Sequence, residues 1–188
     1  MLEAIRLDDA DAVRRLLGQG VSPNLREKTK GPAIVMAAKV ASFRSLALLA
    51  VAPGIDLEAT DESGQTVLMM AAIKGHEPSV KLLLERGARV DSDGWTALHY
   101  AASGGHTGVA RMLILRGANL DARSANGTTP VILAARNEHF NTMELLADMG
   151  ADLTAHNESG RGVIEYLEAQ NHNERIADIR ERIARRQR

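Results

Sequence analysis

The sequence contains no cysteine, no excess of either charge and no long apolar run. Without cysteine the chain can form neither disulfide bonds nor thiolate metal sites, and it has no cysteine nucleophile. Cysteine usage therefore does not distinguish an oxidising from a reducing compartment. The uncharged stretch between Arg44 and Asp56 is far shorter than the roughly 20 apolar residues that a bilayer-spanning helix requires. We therefore expect a soluble protein with no membrane span.

The charge balance argues against nucleic acid as a partner. The formal net charge is -1, whereas binding to phosphates needs a basic excess. Apolar residues make up 45% of the 188 residues and charged residues 25%, which is typical of one soluble folded domain. The first residues, Met1–Arg6, lack a charged head followed by an apolar stretch, so we expect no leader peptide in this sequence. A cytoplasmic location is the default expectation, and export from a bacterial cell is the alternative if a leader has been removed.

One short phrase returns along the chain with a period of about 33 residues. Gly31 and Gly64 are 33 residues apart, as are Gly127 and Gly160. Gly94 follows Gly64 three residues earlier than this period requires. The phrase reads Gly64-Gln65-Thr66-Val67-Leu68, Gly94-Trp95-Thr96-Ala97-Leu98-His99 and Gly127-Thr128-Thr129-Pro130-Val131. An alanine pair follows each copy, and Gly-Ala closes each unit at a plausible helix C-terminus.

This phrase resembles the ankyrin repeat, whose pattern contains G-x-T-P-L-H-x-A-A-x-x-G-H and ends in L-L-L-x-x-G-A-D. The resemblance covers essentially the whole chain. It implies an all-α solenoid in which each repeat is a β-turn followed by two antiparallel helices. We expect a single domain of six repeats, with terminal capping repeats, at about 1–27, 28–60, 61–90, 91–123, 124–156 and 157–188.

The physical chemistry of the repeats agrees with this resemblance. Thr66 can cap the N-terminus of a helix in which Leu68, Ala71 and Ala72 recur at spacings of three and four. The second helix of that repeat has a broad apolar stripe that only neighbouring repeats can cover. Small alanines let the first helices approach closely, so we expect those helices on the concave side of the stack.

Four departures from the pattern predict local features. The first repeat lacks the β-turn, so it is expected to be a cap or a trimmed unit, and the second repeat, with Pro32 and Pro53, is the most degenerate. Three residues are missing between Gly87 and Gly94, which predicts a short turn and a notch. The last repeat becomes polar, which predicts a C-terminal cap.

The last part of the C-terminal repeat, residues 174–188, carries six arginines interleaved with Glu174, Asp178 and Glu181. A solvated helix face and a site for an acidic partner are both open interpretations. The arginines are Arg175, Arg180, Arg182, Arg185, Arg186 and Arg188.

A search for catalytic, metal or nucleotide sites finds none, so we expect no enzyme, no cofactor and no metal. His76, His106, His139 and His172 share one repeat position, which separates them by roughly 10 Å and prevents them from binding one ion. His99 is expected to have a structural hydrogen-bond role, as the resemblance implies. Acidic pairs such as Asp61-Glu62 suit turns, and Gly104-Gly105 suits the turn between helices.

The methionines, among them Met69, Met70, Met143 and Met149, suit either a pliable recognition surface or, as we favour, the core.

Partners of ankyrin repeats usually contact the β-turn tips and the exposed positions of the first helices. The matching residues here are Glu62, Ser63, Gln65, Ile73 and Lys74 in the third repeat; Ser92, Asp93, Trp95, Ser103 and Gly104 in the fourth; Ala125, Asn126, Thr128, Arg136 and Asn137 in the fifth; Arg161 in the sixth; and Thr29 and Lys30 in the second.

Trp95 is the strongest candidate among these residues. It is the only tryptophan, and tryptophan is enriched among residues that dominate binding energy. The alternative is that its indole lies across the adjacent turn and shields it. Arg136 follows, because a guanidinium pairs well with carboxylates.

The leading hypothesis is a monomeric protein that binds a partner protein through its concave face and β-turn tips, with inhibition or protection of an enzyme as one such role. The second hypothesis is a structural or regulatory ankyrin segment of a larger protein, and the third and weakest is an enzyme with an active site in the groove. The repeats resemble those of stand-alone bacterial ankyrin proteins.

Overall fold

The structure, a computed structural model, describes residues 1–28 and 31–186 of the chain. Within these ranges it contains twelve α-helices and one two-stranded antiparallel hairpin. The chain divides into two compact units, Met1–Val90 (the N-terminal unit) and Asp91–Arg188 (the C-terminal unit). The division falls where the sequence separates the third and fourth repeats. The expectations for Thr29, Lys30 and Arg188 lie outside the described residues.

The N-terminal unit consists of three helical hairpins and a short β-hairpin. Its first, or inner, helices contact one another, α1 with α3 and α3 with α5, and its second, or outer, helices do the same. The strands pair with Arg26 opposite Pro32 and Glu27 opposite Gly31. The elements are α1 (Leu2–Arg6), α2 (Ala10–Gly18), β1 (Arg26–Glu27), β2 (Gly31–Pro32), α3 (Ala33–Lys39), α4 (Phe43–Ala50), α5 (Val67–Ile73) and α6 (Glu77–Glu85).

The C-terminal unit repeats this plan with three more hairpins. The inner helices α7, α9 and α11 stack in order, and the outer helix α8 packs against α10. The last outer helix is the longest, at 14 residues. The elements are α7 (Ala97–Ser103), α8 (Thr107–Leu115), α9 (Pro130–Arg136), α10 (Phe140–Asp148), α11 (Val163–Ala169) and α12 (Asn173–Arg186).

The inner helices α5 and α7 begin at a capping threonine, and α5 packs through alanine. Thr66 accepts a hydrogen bond from the backbone N–H of Met69 at 3.3 Å, which confirms the predicted N-cap and satisfies a donor that the first helical turn leaves free. Ala71 and Ala72 are fully buried. Because their side chains are so small, neighbouring inner helices can approach closely.

Three of the outer helices begin at the histidine that the sequence places between the two helices of a repeat. His76, His106 and His139 are the N-cap residues of α6, α8 and α10. His76 accepts a hydrogen bond from the backbone N–H of Ser79 through Nδ1 at 3.2 Å, so this ring caps its own helix.

The core lies between the inner and outer helices of each unit. Leu46, Leu49 and Leu83 fill it in the N-terminal unit, and Leu113 and Leu146 do so in the C-terminal unit. The predicted all-α ankyrin-type fold is confirmed, with only the small β-hairpin added. No helix in the described part of the chain is long and apolar enough to span a membrane. The single-domain assignment and the repeat boundaries stay predictions.

The methionines divide as the core-filling interpretation expects. Met69, Met70 and Met143 are buried, whereas Met149 is exposed at the C-terminal end of α10. Most of these flexible side chains therefore fill gaps between helices rather than line a surface.

Candidate functional site

The turn before α5 is built on one buried carboxylate. Asp61 Oδ1 accepts hydrogen bonds from the backbone N–H groups of Ser63 at 2.8 Å and Gln65 at 2.9 Å, and Gly64 supplies a positive φ of 73°. These bonds hold the turn, so that Glu62 and Ser63 are exposed at its tip and Gln65 is half-buried. Three of the predicted partner-binding residues are thus presented by a fixed backbone.

Asp61 also links this turn to the preceding repeat through an ion pair with Lys39 at the end of α3. Burial alone would raise the pKa of Asp61. The hydrogen bonds from Lys39 and from the two backbone N–H groups outweigh that effect, so the pKa is lowered. The carboxylate therefore stays charged and keeps the turn folded at neutral pH.

In the C-terminal unit the turn before α7 carries the candidate Trp95. Its ring centroid lies 5.1 Å from that of Tyr100 and 5.6 Å from that of His99, in tilted arrangements. The Oγ of Ser92 donates a hydrogen bond to the carbonyl oxygen of Trp95 at 3.1 Å. Trp95 is 36% exposed, so about a third of the residue remains available to a partner while two rings hold it in place.

His99 connects this turn to the next one. Its Nδ1 accepts from the backbone N–H of Thr96 at 3.1 Å, and its Nε2–H donates to the carbonyl oxygen of Thr128 at 3.0 Å. This tautomer follows from the partners, because a carbonyl can only accept. Burial lowers the pKa of His99, against the raising effect of its backbone bonds and of the Asp91 charge. The structural role expected for His99 is thus present.

Thr128 departs from the expectation that it is exposed. It is only 2% exposed, because its backbone N–H donates to Ser124 Oγ at 3.1 Å and its carbonyl oxygen is held by His99. The turn therefore folds this residue inward. Its side chain is not on the surface that a partner would contact.

The other turn tips of the C-terminal unit are exposed and linked to each other. Asn126 is exposed, and its carbonyl oxygen accepts a hydrogen bond from the backbone N–H of Glu158 at 3.0 Å. Arg161 is exposed and its guanidinium lies 5.8 Å from the ring centroid of Tyr166. Asp93 is also exposed. These tips offer both charge signs within one unit.

The C-terminal ends of the inner helices in this unit form a ladder of side-chain bonds. Asn137 Nδ2 donates to the carbonyl oxygen of Ser103 at 2.9 Å, and Gln170 Nε2 donates to that of Arg136 at 2.9 Å. Ser103 and Asn137 are thus hydrogen-bonded to each other. Arg136 keeps an exposed guanidinium, and Gly104 is half-buried.

The sequence analysis selected Ile73 and Lys74, which lie at the C-terminal end of the inner helix in the third repeat. It did not select the equivalent residues of the first two repeats. Lys74 is the C-cap residue of α5, Val40 that of α3 and Leu7 that of α1. Leu7 is 72% exposed and Val40 48% exposed. Aligning helix ends rather than the glycine-containing phrase, which the first repeat lacks, could have found them.

The arginines of α12 bind acidic groups and carbonyls of the chain itself. Arg175 pairs with Glu144 at 2.6 Å, and Arg182 pairs with Asp148 at 2.5 Å. Arg186 donates to two backbone oxygens near the C-terminal end of α10. Hydrogen bonds that Arg182 donates to the carboxylates of Asp148 and Asp178 raise its pKa. These pairings favour a cap with a solvated face over an arginine site for an acidic partner.

The histidines do not converge on a common centre. His139 Nε2 bonds the Ser103 carbonyl oxygen at 3.0 Å, His172 lies 3.1 Å from Glu138 and His156 lies 3.4 Å from Glu165. Among the described residues, no group of three or more histidine, aspartate or glutamate side chains is arranged to hold a metal ion. Their partners instead give these rings structural roles at repeat contacts.

A family model for ankyrin repeats matches the chain three times, at residues 1–93, 35–124 and 89–157. The mouse Ankyrin repeat and SAM domain-containing protein 6 is 38% identical over 96 residues, which is 49% of this chain and 10% of that protein. The mouse B-cell lymphoma 3 protein homolog is 30% identical over 169 residues, or 84% of this chain and 31% of that protein. The chain therefore spans about a tenth and about a third of these relatives. No catalytic family is indicated.

Proposed function

Because this chain belongs to the ankyrin-repeat family, a family of protein-interaction modules, we propose that it binds a specific partner protein through its turn tips and the exposed ends of its inner helices. The proposed contact residues are Trp95, Arg136, Asn137, Lys74, Ile73, Gln65, Glu62, Ser63, Asp93, Ser103, Asn126 and Arg161. Thr128 is left out because it is buried.

The observation that carries this proposal is the presentation of Trp95. An indole can bury a large apolar area on binding, and its neighbours Tyr100 and His99 limit the rotamer freedom that binding would otherwise remove. Its position at a turn tip lets a partner reach the exposed face. A rigid aromatic residue of this kind is a typical binding hot spot.

Within this class we retain the narrower role of an inhibitor or protective partner of an enzyme. The exposed turn tips and helix ends suit the covering of another protein's surface, since they present side chains on a fixed backbone. We also propose that the chain acts as a monomer and binds neither nucleic acid nor a cofactor.

The test is affinity capture from the source lysate with the wild type and Trp95→Ala side by side. Leu115→Ala is the matched control, because Leu115 is 73% exposed at the end of an outer helix and is not among the proposed contact residues. All three proteins must first show the same circular dichroism and melting temperature. We expect Trp95→Ala to weaken retention of a specific protein by about tenfold or more and the control to retain it fully.

Equal retention by the wild type and Trp95→Ala would refute Trp95 as the anchor and move the contact to other residues. If neither protein retains a specific partner, the second hypothesis gains, namely that the chain is a structural or regulatory segment of a larger protein. The small share of the relatives that the chain covers favours this second candidate. The length of the encoding reading frame distinguishes the two hypotheses independently of the capture experiment.

A further inference from the structure

The turn before α7 and the start of that helix bring two of the chain's few aromatic residues together. Trp95, the only tryptophan, and Tyr100, one of two tyrosines, have ring centroids 5.1 Å apart and planes inclined by 53°. Trp95 is 36% exposed and Tyr100 is half-buried. We name these two residues the aromatic pair. Because the faces of aromatic rings carry partial negative charge, an exposed pair of this kind attracts cations.

The charged residues of the same segment are carboxylates. Residues 90–110 contain Asp91 and Asp93 but neither lysine nor arginine. Asp93 is exposed two residues before Trp95. Burial lowers the pKa of His99 and the charge of Asp91 raises it in part, so Asp91 lies close to a ring that contacts Trp95. With its pKa lowered, His99 stays neutral at neutral pH and adds no positive charge to the turn.

The basic residues nearest to this segment are directed elsewhere. Arg89, the last one before it, pairs with Glu58 at 3.1 Å. Arg111, the first one after it, belongs to the outer helix α8. At the next turn of the C-terminal unit, Arg123 donates a hydrogen bond to the carbonyl oxygen of His156 at 2.8 Å. The turn that carries the aromatic pair is therefore aromatic and acidic, and a cation is complementary to it.

We propose that the partner protein inserts an arginine side chain at this turn. Its guanidinium group lies against the exposed part of the Trp95 indole and pairs with the carboxylate of Asp93. Arginine suits the site better than lysine because its planar guanidinium group both stacks on aromatic rings and forms paired hydrogen bonds with a carboxylate. This inference rests on the proposed function and names the chemistry that the partner presents to Trp95.

The test begins with displayed random peptides that are selected on the wild-type chain and depleted on Trp95→Ala. We expect the surviving peptides to be enriched in arginine. One of them is labelled, and its affinity is measured by fluorescence anisotropy. The same peptide is then made with citrulline, the uncharged analogue of arginine, at each arginine in turn. At one position this change should weaken binding by about tenfold, because citrulline keeps the shape of the side chain but not its charge.

A second measurement changes the indole itself. Because Trp95 is the only tryptophan, production of the chain with mono-, di- or trifluorinated tryptophan alters this residue alone. Fluorine withdraws electron density from the ring and so weakens its attraction for a cation, while the ring keeps nearly the same size. The affinity for the arginine peptide should fall stepwise with each added fluorine, by about fivefold in total. The affinity for the citrulline peptide should not change.

The carboxylate is tested by Asp93→Asn. This variant should bind the arginine peptide about threefold more weakly and with a smaller salt dependence, because one exposed ion pair is lost. Glu174→Gln is the matched control and should leave the affinity unchanged, since Glu174 is also exposed, lies in the first turn of α12 and is not among the proposed contact residues. Both variants should melt as the wild type does. If one melts earlier, the fluorinated chains, which carry no substitution, decide the question.

Four results would overturn the inference. They are a selection that yields no peptide dependent on Trp95, selected peptides without arginine, equal affinity when lysine replaces the critical arginine, and an affinity that fluorination does not change. The capture experiment fails separately. Loss of a specific protein from Trp95→Ala with no effect of fluorination would keep Trp95 as the anchor and remove the arginine, whereas equal retention by Trp95→Ala would remove the anchor itself.

Discussion

At the residue scale, His99 connects two repeats through both ring nitrogens. It receives the backbone N–H of Thr96 on one side and donates to the carbonyl oxygen of Thr128 on the other. The bond from Thr96 requires the neutral ring, because a proton on Nδ1 would remove the acceptor, whereas the charged ring would still donate from Nε2–H to Thr128. The ring is fully buried, so the charged form would also lose its hydration. Protonation of His99 would therefore cost the contact with Thr96 and the burial of an uncharged ring.

We predict that the chain becomes less stable as the pH falls below the ordinary histidine pKa of about 6.5. The pKa values of His99 and His76 are both lowered in the fold, mainly by burial, so the unfolded chain binds more protons in that range. Their contribution to stability is complete above the unfolded pKa and is lost as the pH falls through the folded values. Urea unfolding between neutral and mildly acidic pH measures the slope.

The variant His99→Gln should lower the free energy of unfolding by about 1–3 kcal/mol at neutral pH, because a buried hydrogen-bonding link is weakened. Its pH slope should be smaller than that of the wild type, with the remaining slope due in part to His76. A variant slope equal to that of the wild type would show that His99 is not the titrating group.

At the element scale, α12 differs from the other outer helices in how it is held. Ile176 and Ile179 are its buried residues, and Arg175 and Arg182 pair with carboxylates of α10. Arg186 adds bonds to the carbonyl oxygens of Ala147, in α10, and Ala151, just after it. Because α12 buries so few apolar side chains, its attachment to the rest of the unit depends on each of these contacts.

We predict that Ile179→Ala loosens α12 without unfolding the inner helices. The truncation removes most of a fully buried side chain, which costs about 2–5 kcal/mol in a packed site. Hydrogen exchange should show protection lost in α12 and retained in α9. Ala177→Ser, on the exposed face of the same helix, is the control and should leave protection in place. Equal loss of protection in α9 would mean that α12 does not open as a separate element.

At the scale of the whole molecule, the exposed large apolar residues are few and spread along the chain. They are Leu7, Val40, Val51, Trp95, Leu115 and Met149. A stable symmetric dimer usually needs a contiguous, largely apolar patch of several hundred Å² on each subunit.

We therefore predict a monomer of 20.3 kDa in solution. Sedimentation equilibrium over a wide range of protein concentration, at low and at moderate salt, measures the mass. A mass that rises with concentration toward twice this value would contradict the prediction. Testing Leu7→Ser/Val40→Ser and Leu115→Ser beside the wild type would then locate the contact.

Local features of this protein could be read from its sequence. The helical hairpins, the Thr66 cap and the histidines at the inter-helix turns follow from short motifs, because capping and turn geometry depend on residues only a few positions apart. The structural role of His99 was expected only from the resemblance to ankyrin repeats. The repetition of those motifs, and their resemblance to a known family, fixed the fold class. Exposure at the tips was also predicted for Glu62, Asn126 and Arg161.

What only the tertiary structure decided depends on contacts between residues about one repeat apart. Thr128 turned inward because His99 holds its carbonyl oxygen, and the arginines of α12 found carboxylates on α10. Leu7 and Val40 remained exposed although their residue types suit a core. Burial and pairing are properties of neighbouring repeats together, so a motif read within one repeat cannot determine them.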